Sequence, residues 1–310
     1  MRAVVSGKMK NIGQIMAERI KELGYEVYYH EDEKIPLNEE ELKCDVLVQM
    51  DMFKLNKPES FKNLKFVQAL MVGTDDKPIE ELRSMGVKYA NLRGVFDKPI
   101  AEFVIMRILD IYKRIRVYES QQREKIWKKQ FDLMEITDKR AVVLGTGHIG
   151  KETARLLKAF EAKVDGFSRS GKKTENFDNV FTMDFLNEKI GQYDIVVNAL
   201  PLTDETYHVF NDDLFGNFKE KSVYINIGRG GTQSEEALYK ALLGGRLMAA
   251  AVDVFEKEPL SKKSPLLDLD NFYFSPHNSW GGDLNDQRTV DIVVKNLKAF
   301  INGEEPENIV

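Results

Sequence analysis

Ala141-Val142-Val143-Leu144-Gly145-Thr146-Gly147-His148-Ile149-Gly150 is the stretch on which the fold turns. Four apolar residues of strand character run straight into three glycines spaced Gly-x-Gly-x-x-Gly. A helical pattern follows to about Phe160, and a second apolar run, Lys163–Phe167, comes after it. A strand, a glycine-rich turn, a helix and a second strand, in that order, make a βαβ unit able to cradle the phosphates of a dinucleotide. Each glycine has its own task. Gly145 permits the tight turn, Gly147 lets the backbone approach a pyrophosphate, and Gly150 lets the helix pack closely on the sheet. The first N–H groups of that helix have no intrahelical partner and point at the anion. Gly145, Thr146, Gly147, His148, Ile149 and Gly150 are therefore read as cofactor contacts, His148 for its backbone rather than its ring.

The same alternation extends in both directions. Upstream, Arg2–Val5, Glu26–Tyr29, Asp45–Val48 and Lys65–Leu70 read as strands, and Ile12–Leu23 as a helix stopped by Gly24. Downstream, Ile195–Ala199, Val223–Ile227, Ala249–Val254 and Phe272–Ser275 read as strands, and Gln287–Ile301 as a closing helix. Strand and helix patterns in alternation imply parallel sheets covered by helices. Between the halves, apolar residues from Ala101 to Ile115 recur at three and four positions, which predicts one long helix over Ala101–Val117. A weakly patterned Lys/Gln-rich stretch, Glu119–Asp132, follows.

Composition narrows the class. The chain has 310 residues, 45 Lys+Arg against 50 Asp+Glu, and a net charge of -5. That balance argues against a nucleic-acid binder, whose footprint is a strongly basic face. At 43% hydrophobic residues the chain can bury a sizeable core. The single cysteine, Cys44, forms no internal disulfide, and with four histidines it rules out a Cys-rich zinc site. The opening apolar run is too short for a signal peptide, and no stretch approaches ~18 apolar residues. A soluble, cytoplasmic enzyme without a membrane partner is expected.

The end of the second strand bears on the cofactor. A site for NAD normally carries Asp or Glu there, to bind the ribose hydroxyls. Here the sequence reads Gly166-Phe167-Ser168-Arg169-Ser170-Gly171-Lys172-Lys173, and Asp165 lies three residues too early. Hydroxyls and cations suit a 2′-phosphate instead. Ser168, Arg169 and Ser170 thus predict NADP(H) over NAD(H), with NAD(H) still admissible.

Three further segments stand at or just after strand ends: Asn226-Ile227-Gly228-Arg229-Gly230-Gly231, Asp253-Val254-Phe255-Glu256-Lys257-Glu258-Pro259-Leu260, and Ser275-Pro276-His277-Asn278-Ser279-Trp280. In a doubly wound sheet those ends surround the ligand crevice. Together these segments resemble the D-isomer-specific 2-hydroxyacid dehydrogenase family, which includes glyoxylate/hydroxypyruvate reductases, and the match covers nearly the whole chain. Val72-Gly73-Thr74-Asp75 resembles its substrate loop. Asn91, Gly94 and Ala101-Glu102 fall where the family has an Asn, a Gly and an Ala-Glu pair. Leu200-Pro201-Leu202-Thr203-Asp204-Glu205-Thr206 resembles its cofactor loop.

The resemblance implies roles that chemistry supports. The guanidinium fork of Arg229 binds a carboxylate and polarises the adjacent carbonyl. His277 supplies the proton, and Glu258 beside it favours the protonated imidazole. Asp253 contacts the nicotinamide carboxamide, and Leu200, Pro201, Thr206, Ile227 and Gly228 line the cofactor. The backbone N–H groups of Val72 and Gly73 hold the substrate carboxylate. Trp280 departs from the small apolar residues usual there and bears on the substrate pocket. Gln233-Ser234 replaces a common acidic turn. His30, His148 and His208 match no catalytic position and read as surface or loop residues.

The expectation is therefore an α/β protein of two Rossmann- or flavodoxin-like, doubly wound parallel-sheet domains with a cleft between them. Residues 1–93 plus 282–310 form the substrate domain, and 94–281 the dinucleotide-binding domain. The expected activity is NADPH-dependent reduction of a small 2-oxo acid to the D-2-hydroxy acid by a homodimer. Two other readings stay open: a nucleotide-sensing, corepressor-like binding protein without turnover, and formate dehydrogenase, against which Glu258 argues because that subgroup carries Gln.

Overall fold

The computed structural model describes residues 1–74 and 76–310, so Asp75 of the expected substrate loop lies outside the described residues. In chain order the principal elements are β1 (Arg2–Ser6), α1 (Lys10–Glu22), β2 (Glu26–His30), β3 (Val46–Gln49), β4 (Phe66–Ala69), α2 (Ile79–Ser84) and β5 (Lys88–Ala90). Then come α3 (Asp97–Tyr112), α4 (Ile115–Glu124), β6 (Arg140–Leu144), α5 (His148–Ala159), β7 (Lys163–Ser168) and β8 (Asn179–Thr182). They are followed by α6 (Leu186–Lys189), β9 (Ile195–Asn198), α7 (Asp212–Asn217), β10 (Ser222–Asn226), α8 (Glu235–Leu243), β11 (Leu247–Val252), β12 (Phe272–Phe274) and α9 (Asn285–Ile301).

The chain forms two compact units, Met1–Phe96 with Gly282–Val310, and Asp97–Gly281. The first holds a five-stranded parallel sheet ordered β2-β1-β3-β4-β5, the flavodoxin-like order. Its strands β1, β3 and β4 are buried on both faces, which explains their largely apolar runs. The closing helix α9 belongs here. Tyr25 donates to the carbonyl of Leu297 at 2.8 Å, and Asn296 donates to Gln68 Oε1 at 2.8 Å. His30 is buried at the end of β2, with Nδ1 3.0 Å from Glu41 and Nε2 3.0 Å from the Ile35 carbonyl. It is a core residue rather than a surface one.

The second unit holds seven parallel strands ordered β12-β11-β10-β9-β6-β7-β8. The chain leaves β6 towards β7 and β8, then returns to β9 on the other side of β6. That reversal is the switch point at which an open α/β sheet binds ligands, beyond the carboxyl ends of its strands. Registers Leu144↔Asn198, Asn226↔Val252 and Val252↔Phe274 align those ends along one edge. The expected long helix is in fact two. Arg114 adopts a left-handed conformation, φ 52°, and ends α3 after Tyr112. The new direction is held by Arg116, which lies over the Tyr273 ring at 3.4 Å and donates to the Phe272 carbonyl at 2.9 Å. Among the described residues no helix is long and apolar enough to cross a membrane.

Candidate active site

The phosphate loop behaves sterically as its glycine spacing demands. Gly145 follows β6 at φ 98°, and a Cβ there would lie 2.6 Å from the Ala199 carbonyl oxygen. A Cβ on Gly150 would lie 1.9 Å from the Gly145 carbonyl oxygen. Gly147 caps α5, and a Cβ on it would meet nothing within 4 Å. Two glycines are thus required by the protein's own backbone, whereas the third faces open space where a pyrophosphate fits against the free N–H groups of α5. Thr146 packs beside Gly166, Ile149 is half-buried, and His148 opens α5 with Nδ1 3.5 Å from Asp97.

At the end of β7, Ser168 Oγ accepts from Gly171 N at 3.1 Å and Ser170 Oγ from Lys172 N at 3.4 Å. Arg169 is exposed, and among the described residues no carboxylate pairs with it. Asp165 is committed elsewhere: it accepts from Tyr193 Oη and Asn179 Nδ2, each at 2.9 Å. The residues present fit a nicotinamide dinucleotide.

The neighbouring loops, expected to line the cofactor, are set by a buried polar network that the sequence pattern did not announce. Asn198 Nδ2 donates to Thr232 Oγ1 at 2.7 Å and Asn226 Oδ1 at 3.1 Å, while its Oδ1 accepts from Leu200 N at 3.0 Å. Asn226 Oδ1 accepts from Gly228 N at 3.0 Å, and its Nδ2 donates to Gln233 at 3.0 Å. Ile227 N bonds the Asn198 carbonyl at 3.0 Å. Thr206 Oγ1 donates to the Pro201 carbonyl at 2.7 Å and closes its loop on itself.

Three segments then converge. Arg229, Glu258 and His277 line one cavity of about 380 Å³, together with Leu202, Tyr207 and Glu256. Arg229 Nη1 donates to the Gly228 carbonyl at 3.0 Å. His277 Nδ1 lies 2.9 Å from Glu258 Oε2, whose partner oxygen accepts from Phe255 N at 3.1 Å. The pair is reachable, with side chains 46% and 37% exposed. With Nδ1 held by the carboxylate, Nε2 is the nitrogen left for a substrate.

His277 sits at φ 50°, a conformation that costs a non-glycine residue of order 1–3 kcal/mol. Asp253 holds it there. This carboxylate is 1% exposed and accepts from Ser275 Oγ at 2.5 Å, Asn278 N at 2.9 Å and Ser279 N at 3.0 Å. Its carbonyl accepts from His277 N at 2.9 Å, and Trp280 Nε1 donates to the His277 carbonyl at 2.9 Å. These partners make Asp253 a support of the His277 loop. In the first unit, Val72 and Gly73 follow β4, and Asn91 Nδ2 donates to the Val72 carbonyl at 3.0 Å.

Comparisons with known proteins agree on the type of chain. Residues 105–279 match the model of the D-isomer specific 2-hydroxyacid dehydrogenase NAD binding domain. A glyoxylate reductase of Thermofilum pendens is 32% identical over 301 residues, covering 92% of this chain and 88% of that protein. A hydroxyphenylpyruvate reductase of Plectranthus scutellarioides is 33% identical over 248 residues, 79% of this chain and 78% of that one. Among solved structures, an NADPH-dependent glyoxylate/hydroxypyruvate reductase of Sinorhizobium meliloti, in complex with NADP and sulfate, superposes with a TM-score of 0.78 at 27% identity. It covers 100% of this chain and 97% of that one.

Proposed function

The chain belongs to the D-isomer specific 2-hydroxyacid dehydrogenase family, an NAD(P)-dependent oxidoreductase family, and from that premise we propose that it reduces a small 2-oxo acid of the glyoxylate/hydroxypyruvate type to the D-2-hydroxy acid, with NADPH preferred. The observation that carries this reading is the shared cavity of Arg229, Glu258 and His277. Arg229 takes the substrate carboxylate in its fork and polarises the carbonyl as charge develops on oxygen. The nicotinamide, when bound, supplies a hydride to the carbonyl carbon. His277 donates its Nε2 proton to the carbonyl oxygen, and Glu258, on Nδ1, fixes the ring and offsets the imidazolium charge. Asp253 keeps the His277 loop in place through its three accepted hydrogen bonds.

Replacing His277 by asparagine tests this assignment. Turnover between pH 6 and 8 should fall by ~100-fold or more, the usual range for a lost general acid, while NADPH still binds. Near-normal turnover would remove His277 as the proton donor.

The preference for NADPH rests on Ser168, Arg169 and Ser170 at a strand end without an acid. Arg169→Ala should raise the KM for NADPH at least ~10-fold and leave that for NADH within about twofold, since charge-assisted bonds contribute about 1.5–3 kcal/mol. Equal losses with both cofactors would mean that Arg169 does not touch a 2′-phosphate.

A homodimer belongs to the same proposal. Trp127 and Phe131, in the irregular segment after α4, are 97% and 90% exposed, and two large aromatic side chains standing together in water support an interface there. A solution mass of twice 35.6 kDa would agree, and a monomer at micromolar concentration would contradict it.

A further inference from the structure

Two segments of the site, one carrying Arg229 and the other Glu258, meet backbone to backbone. A Cβ on Gly230 would stand 1.9 Å from both the carbonyl carbon and oxygen of Phe255. Charged side chains close over this contact. Glu256 Oε1 accepts from Glu235 N at 2.9 Å, and Glu235 Oε1 accepts in return from Glu256 N at 3.0 Å. The other oxygen of Glu256 lies 3.1 Å from His208 Nε2. His208 donates its backbone N–H to the Gly231 carbonyl at 2.9 Å, and its ring stacks on Tyr207 at 4.1 Å. One carboxylate therefore joins the start of α8, the end of the cofactor loop and the segment that carries Glu258.

We propose that Glu256, clasped by Glu235 and His208, is a positioning residue that fixes Arg229 relative to the Glu258–His277 pair. The proposal rests on the roles assigned above to Arg229 and His277. A plain surface ion pair would contribute about 0–1 kcal/mol and have no consequence for the site. This arrangement differs in two respects. The Glu235 and Glu256 contacts are reciprocal backbone N–H bonds to carboxylates, which are stronger than neutral ones. Glu256 also lines the cavity that contains Arg229 and His277. It stands two residues before Glu258, whose own Oε1 is held by the Phe255 N–H. Releasing Glu256 frees the segment that aims Glu258 at the imidazole. A misplacement of about 1 Å at a reacting group can cost 10²-fold in rate.

The test uses the full chain and the variants Glu256→Ala and Glu256→Gln. Glu256→Ala should lower kcat at least ~10-fold and leave the dissociation constant for NADPH within about twofold. Glu256→Gln, which keeps an oxygen for Glu235 N, should recover most of the rate. A readout independent of turnover is carbethoxylation of His277 by diethyl pyrocarbonate, followed by peptide mass analysis. Its rate should rise several-fold in Glu256→Ala as the imidazole is released. Unchanged kcat and unchanged labelling would overturn the proposal, as would a loss of rate that Gln fails to restore. If the wild-type chain reduced no 2-oxo acid, the functional reading would fail, and the labelling of His277 would still decide the clasp.

Discussion

Arg229→Ala is expected to lower kcat/KM for every 2-oxo acid at least ~100-fold, with NADPH affinity within about twofold of wild type. The reasoning is electrostatic. A donor aimed at the oxygen on which charge develops contributes about 2.7–4 kcal/mol, and Arg229 is assigned both that task and the substrate carboxylate. Its backbone is anchored independently of the guanidinium. The Arg229 carbonyl accepts from Thr232 Oγ1 at 2.6 Å, and Gly230 packs on Phe255. The segment should therefore survive the truncation, and the loss should be chemical. Arg229→Lys should not rescue it, because a point charge lacks the planar fork that holds a carboxylate in two places. Steady-state kinetics with a saturating cofactor would check this, and a drop below tenfold would remove the assigned role.

Gly150→Ala should abolish cofactor binding and unfold the second unit at a lower temperature. The added carbon would stand 1.9 Å from the Gly145 carbonyl oxygen and 3.0 Å from its carbon. Both are backbone atoms, so no flexible side chain can yield. Either α5 moves off the sheet or the turn after β6 opens, and each destroys the array of N–H groups. Overpacking a tight contact ordinarily costs about 1–3 kcal/mol, and backbone against backbone belongs at the top of that range or above it. Gly147→Ala makes the contrast, because nothing of the protein lies within 4 Å of its Cβ position. That variant should melt like wild type and still lose NADPH affinity. Isothermal titration with NADPH beside thermal melting separates the two. A Gly150→Ala protein that melts and binds like wild type would contradict the reading of the turn.

Much of this was legible in the chain because the signals are local. The glycines of 145–150 announce the turn, and the absence of an acid after Phe167 is visible without coordinates. The segments at Arg229, Glu258 and His277 could be set at strand ends from their apolar runs. Other features depend on residues far apart. Asn198, Asn226 and Gln233 look like ordinary strand and loop polars until the sheet aligns their ends. The clasp joins Glu256 to residues 21 and 48 positions away, at spacings that carry no pattern. Asp253 presents the same letter whatever it meets, and the three donors that make it a support of the His277 loop come together only in the folded chain. The break at Arg114 has no glycine or proline to mark it. β8, on the edge of its sheet and only partly buried, lacks the continuous apolar run of its neighbours.

The decisive measurement is a matrix of initial rates for the purified chain: NADPH and NADH, each against glyoxylate, hydroxypyruvate, pyruvate, phenylpyruvate and 2-oxoisocaproate. Turnover with at least one of these acids, well above background and faster with NADPH than with NADH, is the predicted result. Tight binding of NADPH with no turnover of any acid would contradict it and turn the reading towards a nucleotide-sensing protein.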